Sequence, residues 1–166
     1  MAEKDKIFEE KLVHDGIFDL KNTYNFLYTL LTDDEFSMEE NSYKEKNAGT
    51  SKEIEIAWTA KKKISDYFRF LVKISWRVLG MQTVEVTKDG QKVKMNKGLL
   101  EIKIAGFLER DYENKWESSA LYKFLRGVYD QFVVAKTIKG YEGKLGEEMS
   151  AAINQLKSFL VLEAKR

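Results

Sequence analysis

Residues 64–78 read ISDYFRFLVKISWRV, and their side-chain periodicity is the strongest structural signal in the sequence. Its even-numbered positions are apolar or aromatic except for Asp66, whereas several of its odd-numbered positions are basic. Successive side chains of a β-strand point to opposite faces of the sheet. The stretch is therefore predicted to be one long strand. Its inner face would carry Ile64, Phe68, Phe70, Val72, Ile74, Trp76 and Val78, and its outer face Arg69, Lys73 and Arg77.

The segments on either side repeat this alternation. Apolar residues occupy every second position over residues 54–60 and again over residues 100–108. Between them, Asp89-Gly90 is the favoured two-residue hairpin turn, and it would place Val86 opposite Val93. A turn at residues 47–50 joins a strand near 42–46 to the next one. With a first strand over residues 6–17, the sequence predicts about six or seven antiparallel strands.

Helical spacing precedes and follows the block of strands. Asp19 is suited to cap a helix that carries Leu20, Tyr24, Leu27 and Leu31. After the strands, Asn114 and Glu117 resemble a capping box at the start of a helix near 115–136. That helix is predicted to carry an apolar stripe of Leu121, Phe124, Val128 and Phe132.

The carboxyl-terminal part of the chain contains a weak point and a final helix. Residues 139–143 include two glycines, which disfavour a helix, so a hinge is predicted there. The final helix is predicted to turn Leu145, Met149, Ala152, Leu156 and Phe159 toward the core.

The composition fits one domain, residues 1–166, and excludes several kinds of chemistry. Lys and Arg number 28 against 27 Asp and Glu, a net charge of +1 that does not favour a general polyanion binder. Without Cys and with one His, the chain lacks disulfides, thiolate metal sites and the usual His-based metal or nucleophile sites. We therefore expect no catalytic residues, no metal site and no cofactor.

The amino terminus, MAEKDKIFEE, is charged and has no apolar region typical of a secretory signal. The longest apolar runs, such as residues 132–135, fall far short of the ~20 residues that cross a bilayer. We expect no transmembrane segment and a cytoplasmic location.

The order of elements resembles the helix-grip fold of the START and polyketide-cyclase superfamily. The opening KIFEEKLVHDGIFDLKNTYNFL is similar to that family's first strand running into its first helix. The resemblance spans roughly residues 6–163 and departs from the family plan in the helix near 115–136. It implies an α+β fold, in which a curved antiparallel sheet is covered by a carboxyl-terminal helix and an amino-terminal helix follows the first strand.

The aromatic residues of the predicted inner faces are the candidate binding residues. They are Trp58, Phe68, Phe70, Trp76, Ile104 and, from the last helix, Phe159. A curved sheet that grips one helix tends to leave a cavity, and apolar walls suit a lipid or another apolar molecule. Gly106, on an inner face, fits either a bend of the sheet or room for a ligand. The leading hypothesis is a non-catalytic protein that holds an apolar small molecule between sheet and last helix; the alternative is that the rings only fill the core.

Two other kinds of partner stay open. Tyr122 and Tyr129, seven residues apart on one side of a helix, suit docking of a protein partner or a second copy. The basic outer positions, with residues 61–63 and Tyr67, resemble a sheet face that binds single-stranded nucleic acid. Nucleic acid is the less favoured partner, because glutamates at equivalent positions of other strands favour cross-strand ion pairs. These are Glu53, Glu55, Glu101 and Glu109.

Few polar residues stand out as sites. Asp66 lies on the apolar face, where it is either a functional acid or a solvated strand end, and Arg110 is a candidate partner for it. His14 and Asp15 point to opposite faces of a strand, which favours a turn residue over a general base. The acidic residues 33–35 and 39–40 lack the EF-hand spacing and are interpreted as solvated loops.

Overall fold

A computed structural model describes residues 3–113, 120–129 and 135–165. Over these residues the chain forms an antiparallel five-stranded sheet and three helices, so the predicted α+β class is confirmed. The elements are β1 (Glu3–Phe18), α1 (Leu20–Asp33), β2 (Ser37–Ala48), β3 (Ser51–Lys63), β4 (Phe68–Lys88), β5 (Gln91–Arg110), α2 (Ala120–Tyr129) and α3 (Ala135–Lys165).

The strands lie in the order β1-β5-β4-β3-β2. The first and last strands of the chain therefore pair with each other, and β4 lies in the middle of the sheet between β3 and β5. Because β4 is paired on both sides and covered by helices, its predicted inner face is buried from Phe68 to Val78.

β4 begins at Phe68, so the start predicted at Ile64 is wrong. Residues 64–67 form the connection from β3. There the Oγ atom of Ser65 accepts hydrogen bonds from the backbone N–H groups of Tyr67 (3.2 Å) and Phe68 (3.0 Å). A hydroxyl that satisfies nearby backbone donors competes with strand pairing, which delays the start of the strand.

The sheet has five strands, not six or seven, because β4 and β5 are each one long strand. The strands predicted around Val84 and Val93 are the far ends of β4 and β5, joined to their near ends through a bulge. In the bulge Gly80 has a φ of 60°, and a Cβ on Gly98 would lie 2.9 Å from the carbonyl oxygen of Leu79. Glycine at these two positions lets the strands stay paired through the irregularity.

Beyond the bulge, β4 and β5 continue as a two-stranded arm. The pairing of β3 with β4 ends at Met81, and the pairing of β1 with β5 ends at Asn96. Among the described residues, the ends of the two strands therefore pair only with each other. The predicted turn at residues 89–90 and the opposition of Val86 and Val93 are confirmed.

β2 is an edge strand and is longer than predicted. It pairs with β3 around the predicted turn, where Ala48 lies opposite Ser51. Most of its side chains are exposed and many are charged. Charged edge strands resist pairing with another sheet, so this edge is protected against association.

Helix α1 begins where the sequence predicts. The Oδ1 atom of Asp19 accepts a hydrogen bond from the backbone N–H of Asn22 (3.1 Å), as an N-cap does. Leu27 and Leu31 are buried on the side of the helix that faces the sheet.

Helix α3 is continuous from Ala135 to Lys165, so the predicted hinge at residues 139–143 is wrong. The ring of Tyr141 packs against Phe68 and Phe70, with centroid distances of 5.2 and 6.0 Å. This packing offsets the ~1 kcal/mol by which each glycine disfavours a helix. The predicted core residues Leu145, Met149, Ala152 and Leu156 are buried, whereas Phe159 is only partly buried.

Two predicted features, the capping box at Asn114 and Glu117 and the apolar position Phe132, lie outside the described residues. Among the helices that the structure describes, none combines the length and the apolar character of a membrane span.

Candidate functional site

Five of the six predicted binding residues lie together in the cluster of buried apolar residues. Trp58, Phe68, Phe70, Trp76 and Ile104 are at most 3% exposed. The rings of Trp58 and Trp76 meet edge-on with their centroids 5.1 Å apart. Phe159 lies apart from this group, between α1 and α3, where its ring stacks on Phe26 at 4.4 Å.

The space above Gly106 is filled by helix α3. A Cβ on Gly106 would lie 2.9 Å from Cδ2 of Leu145 and 3.3 Å from Cβ of Phe8. The glycine therefore allows the helix to approach the sheet closely. The room for a ligand that the sequence suggested at this point is occupied by the Leu145 side chain.

Two indole nitrogens in the core are unusual. The Nε1 atoms of Trp58 and Trp76 are buried and have no hydrogen-bond partner among the described residues. Both rings pack against Tyr24 of α1, at centroid distances of 4.7 and 6.0 Å. A buried donor without an acceptor costs roughly 1–3 kcal/mol and is rare in native proteins. These two N–H donors therefore suggest that a hydrogen-bond acceptor from another molecule binds beside them.

Tyr24 also lines an open pocket of about 360 Å³ between α1 and the β2–β3 edge. Its hydroxyl donates a hydrogen bond to Oε1 of Glu40 (2.9 Å). Burial, and then this contact with Glu40, raise the pKa of Tyr24. The nearby Trp58 indole lowers it, although its Nε1 atom forms no hydrogen bond of ordinary geometry with a described residue. Burial likewise raises the pKa of Tyr43, which is also in the pocket, so both phenols remain neutral donors at pH 7. The other lining residues are Leu20, Lys21, Asn25 and Ile56.

Helix α2 presents its apolar side chains to solvent. Leu121, Phe124, Leu125 and Val128 stand at positions i, i+3, i+4 and i+7, which form one face of a helix. Leu121 is 63% exposed, Phe124 is 68% exposed, and the other two are 40% exposed. The prediction that Leu121, Phe124 and Val128 form a core-facing stripe is therefore wrong. We call these four residues the α2 apolar face.

Helix α2 contacts the rest of the chain through another side. Nη1 of the buried Arg126 lies 3.5 Å from Oδ2 of Asp111, and the ring of Tyr129 meets Tyr67 edge-on at 5.1 Å. Residues 126 and 129 are one turn apart, so these contacts determine which face of the helix points outward. Of the two residues predicted to face a partner, Tyr122 is exposed, whereas Tyr129 packs against Tyr67 of the same chain.

Spacing alone could have identified the α2 apolar face but not its direction. A face of Leu and Phe at helical spacing is the usual sign of a core-facing helix. The informative residues are Arg126, which is buried, and Tyr129, which packs against Tyr67; together they show that the opposite side of α2 faces inward.

A second apolar surface lies between α1 and the carboxyl-terminal part of α3. The stacked rings of Phe26 and Phe159 line a groove of about 380 Å³. Leu162, 55% exposed, lines the same groove. The polar lining is uncharged and consists of Asn154, Gln155 and Ser158. We call this surface the α1–α3 groove.

A charged cluster connects α1, β3 and α3. Nζ of Lys62 lies 3.8 Å from Oδ1 of Asp34 and 3.5 Å from Oε1 of Glu148. Burial in the first place, and then the Asp34 carboxylate, raise the pKa of Glu148, while Lys62 opposes the rise. Lys62 therefore points inward and does not belong to the basic surface predicted at residues 61–63.

The outer face of the sheet carries cross-strand ion pairs. Nε of Arg69 donates to Oε2 of Glu109 at 2.7 Å, joining β4 and β5. Two further pairs join β1 and β5: Lys11 with Glu101 at 3.5 Å, and Lys103 with Glu9 at 2.9 Å. Neighbouring opposite charges reduce the positive potential that nucleic acid would need.

The remaining polar candidates form no site among the described residues. The Asp66 side chain is 83% exposed and pairs with Lys63 at 3.2 Å, as expected for a solvated loop. Arg110 pairs with Asp5 at 3.1 Å instead of with Asp66. His14 lies 3.0 Å from the carbonyl oxygen of Ile17. Within the described ranges no group of His, Asp and Glu residues could hold a metal ion.

Comparison with protein-family models, with curated proteins and with solved structures gives no match for this chain.

Proposed function

We propose that the chain is a non-catalytic interaction module that docks the α2 apolar face into an apolar groove of a protein. The observation that carries this proposal is that α2 turns Leu121, Phe124, Leu125 and Val128 outward while Arg126 is buried. Burial of one such apolar side chain contributes roughly 1.5–3 kcal/mol, so a partner that covers the face gains substantially.

The spacing of the exposed residues favours a groove over a membrane surface. Anchors at i, i+3, i+4 and i+7 are those of a helix that lies in a groove. Membrane-surface helices combine an apolar face with several exposed cations. Within Ala120–Tyr129 the basic residues are Lys123 and Arg126, and Arg126 is buried against Asp111. Helix α2 therefore has little positive charge for anionic lipid.

A photo-crosslinking side chain at position 124 tests this proposal in native extract. A matched probe at Val13, an exposed apolar residue on β1, is the control. We expect position 124 to crosslink to a protein that position 13 does not reach. That protein, once purified, should bind the chain directly, and Leu121→Asp should weaken binding at least tenfold.

Identical crosslinks from positions 124 and 13 would contradict docking through α2. Flotation of the purified chain with anionic vesicles, abolished by Leu121→Asp, would show instead that the face binds lipid.

A second candidate function is binding of a small, flat, apolar molecule at the pocket beside Tyr24. It is favoured by the Nε1 atoms of Trp58 and Trp76, which are buried beneath the Tyr24 ring and have no hydrogen-bond partner among the described residues. A ligand with a hydrogen-bond acceptor could reach them if Tyr24 rotates. This places the apolar ligand against α1 rather than between the sheet and α3, where Leu145 lies.

Native mass spectrometry of the purified protein, with solvent extraction, tests the second candidate. We expect a bound mass that is lost in Tyr24→Ala and kept in Tyr122→Ala, since Tyr122 is exposed on α2 and does not line the pocket. A protein without bound mass, whose tryptophan fluorescence is unchanged by apolar aromatic compounds, would exclude it. The helix-grip assignment stays a proposal, supported by the order of strand, helix, antiparallel strands and final helix on the sheet.

A further inference from the structure

We propose that the ligand of the pocket beside Tyr24 is a flat nitrogen heterocycle with an amino group. Its ring nitrogen accepts hydrogen bonds from the buried indole N–H groups, and its amino group donates to Glu40. This inference rests on the second candidate function and names its ligand class. The observation behind it is that buried N–H donors, without an acceptor among the described residues, lie beside an exposed carboxylate.

Strand pairing places the carboxylate beside the indoles. Glu40 of β2 lies opposite Trp58 of β3. Tyr43 lies opposite Ile56, which lies opposite Trp76 of β4. Side chains directly opposite one another in a sheet lie on the same face. Glu40 and Tyr43, which both line the pocket, therefore share the inner face with the two tryptophans.

A β-bulge makes this arrangement possible. In a regular strand, residues three apart point to opposite faces. The pairing of β2 with β3 shifts between Glu40 and Ser42, so Asn41 is an extra residue and Tyr43 returns to the face of Glu40. Oδ1 of Asn41 accepts a hydrogen bond from the Thr59 hydroxyl at 2.6 Å, which holds the extra residue in place. Bulges of this kind re-aim side chains next to functional sites.

The groups around the pocket define the complementary chemistry. The Nε1–H groups of Trp58 and Trp76 can only donate, so they need an acceptor from the ligand. The Glu40 carboxylate can only accept, so it needs an N–H donor. The rings of Tyr24 and Tyr43 offer aromatic faces to a flat ring. An amino-substituted heterocycle supplies the acceptor, the donor and the flat ring together.

Tyr24 has to move before a ligand reaches the indoles, and the same ligand favours that movement. Tyr24 both lines the pocket and packs on the two indole rings. The hydrogen bond from its hydroxyl to Oε1 of Glu40 holds it there. An amino group that binds Glu40 competes for this acceptor, which favours rotation of the Tyr24 side chain to another rotamer. The two polar contacts of the ligand therefore support each other.

Four bicyclic compounds of nearly equal shape test the inference: naphthalene, quinoline, 2-aminonaphthalene and 2-aminoquinoline. Calorimetric titration, at a pH where the ring nitrogens are unprotonated, gives their dissociation constants. We expect 2-aminoquinoline to bind roughly tenfold more tightly than quinoline or 2-aminonaphthalene, which each lack one of the two polar contacts. In NMR spectra, the indole N–H signals of Trp58 and Trp76 should move downfield with the two quinolines and not with the two naphthalenes, because only the quinolines bring an acceptor.

Glu40→Gln isolates the contribution of the carboxylate. It should weaken binding of 2-aminoquinoline roughly fivefold, because a hydrogen bond to a charged group is stronger than one to an amide. Binding of quinoline should stay unchanged, since quinoline has no donor for this position. Glu39→Gln, an exposed change on the opposite face of β2, is the matched control and should bind every compound as the wild type does.

The outcomes separate this inference from the function on which it rests. Equal affinity for all four compounds would show a pocket for flat apolar molecules that does not distinguish their polar groups, so the inference would be wrong and the second candidate function would stand. No binding and no shift of an indole signal would overturn both. Tighter binding of the amines without a downfield indole shift would overturn the contact of the ring nitrogen, and equal effects of Glu40→Gln and Glu39→Gln would overturn the role of Glu40.

Discussion

Gly106 and Gly143 give opposite predictions for the same substitution. A Cβ on Gly106 would lie 2.9 Å from Leu145, whereas a Cβ on Gly143 meets no atom within 4 Å. We expect Gly106→Ala to lower the free energy of unfolding by about 1–3 kcal/mol through overpacking. Gly143→Ala should raise it by up to ~1 kcal/mol through helix propensity. Urea denaturation of both variants measures these changes, and shifts of equal sign would contradict the close approach of α3 to the sheet.

Glu148 makes stability depend on pH. Its folded-state pKa is raised above the ordinary value of 4.5, by burial and then by Asp34. The folded protein then binds the proton more tightly than the unfolded chain does, so stability falls as pH rises from about 4.5 through the raised pKa. Glu148→Gln should flatten this part of the pH profile and raise stability at pH 7. Urea midpoints between pH 4 and 8, with the exposed Glu147→Gln as control, would contradict this if both variants followed the wild type.

At the level of single residues, the sequence predicts burial well where one period continues without interruption. The alternation from Phe68 to Val78 identifies the buried face correctly, and the exception at Asp66 lies in the connection just before the strand begins. The prediction that Phe124 faces the core is wrong, because helical spacing shows that an apolar face exists but not whether a protein core or another molecule covers it. The indole nitrogens of Trp58 and Trp76 lack a hydrogen-bond partner within the part of the chain that the structure describes, and this depends on the positions of distant residues, for which the sequence has no signal.

Among the elements, α2 is joined to the described part of the chain by contacts of Arg126 and Tyr129. The ion pair of Arg126 with Asp111 is buried, and removal of one member of such a pair costs roughly 3–5 kcal/mol. We expect Arg126→Met to release α2 from the sheet. Hydrogen exchange should then speed up over residues 120–129 and stay unchanged in β4. Lys123→Met, an exposed change in the same helix, is the control. Equal exchange in both variants would show that Arg126 does not anchor the helix.

Element boundaries are where sequence reasoning was weakest. Alternation continues through a bulge, so the halves of β4 on either side of Gly80 resemble two strands although they form one. The glycines of residues 139–143 indicate a hinge only if nothing holds the helix in place. Tyr141 packs on Phe68 and Phe70, residues more than 70 positions away in the sequence, and this long-range contact decides the outcome.

For the whole molecule, the class and layout could be predicted because the sheet's apolar face requires a cover. The final helix provides that cover, packing Leu145 against Gly106. The site could not be predicted in the same way, since the sequence does not show which apolar residues stay exposed, as those of the α2 apolar face and Leu162 of the α1–α3 groove do. Of the predicted binding residues, Phe159 alone reaches one of these surfaces.

Docking of a partner on the whole molecule through the α2 apolar face should be insensitive to salt. The four residues of this face carry no charge, so raising NaCl from about 50 to 500 mM should leave binding of the purified partner nearly unchanged or strengthen it. Binding to nucleic acid would instead weaken steeply over this range. Titration of the partner at both salt concentrations checks this, and loss of binding at high salt would show that ion pairs hold the complex together.

The arm formed by the ends of β4 and β5 offers a place to open the chain. A two-stranded ribbon is only marginally stable by itself, and an exposed turn at its tip tolerates cleavage and insertion. A protease site introduced at residues 89–90 should therefore be cut in the native state, leaving two fragments held together by the sheet. The same position would accept a fluorescent label or a fused domain, or provide new termini for a circular permutant, without disturbing the two apolar surfaces.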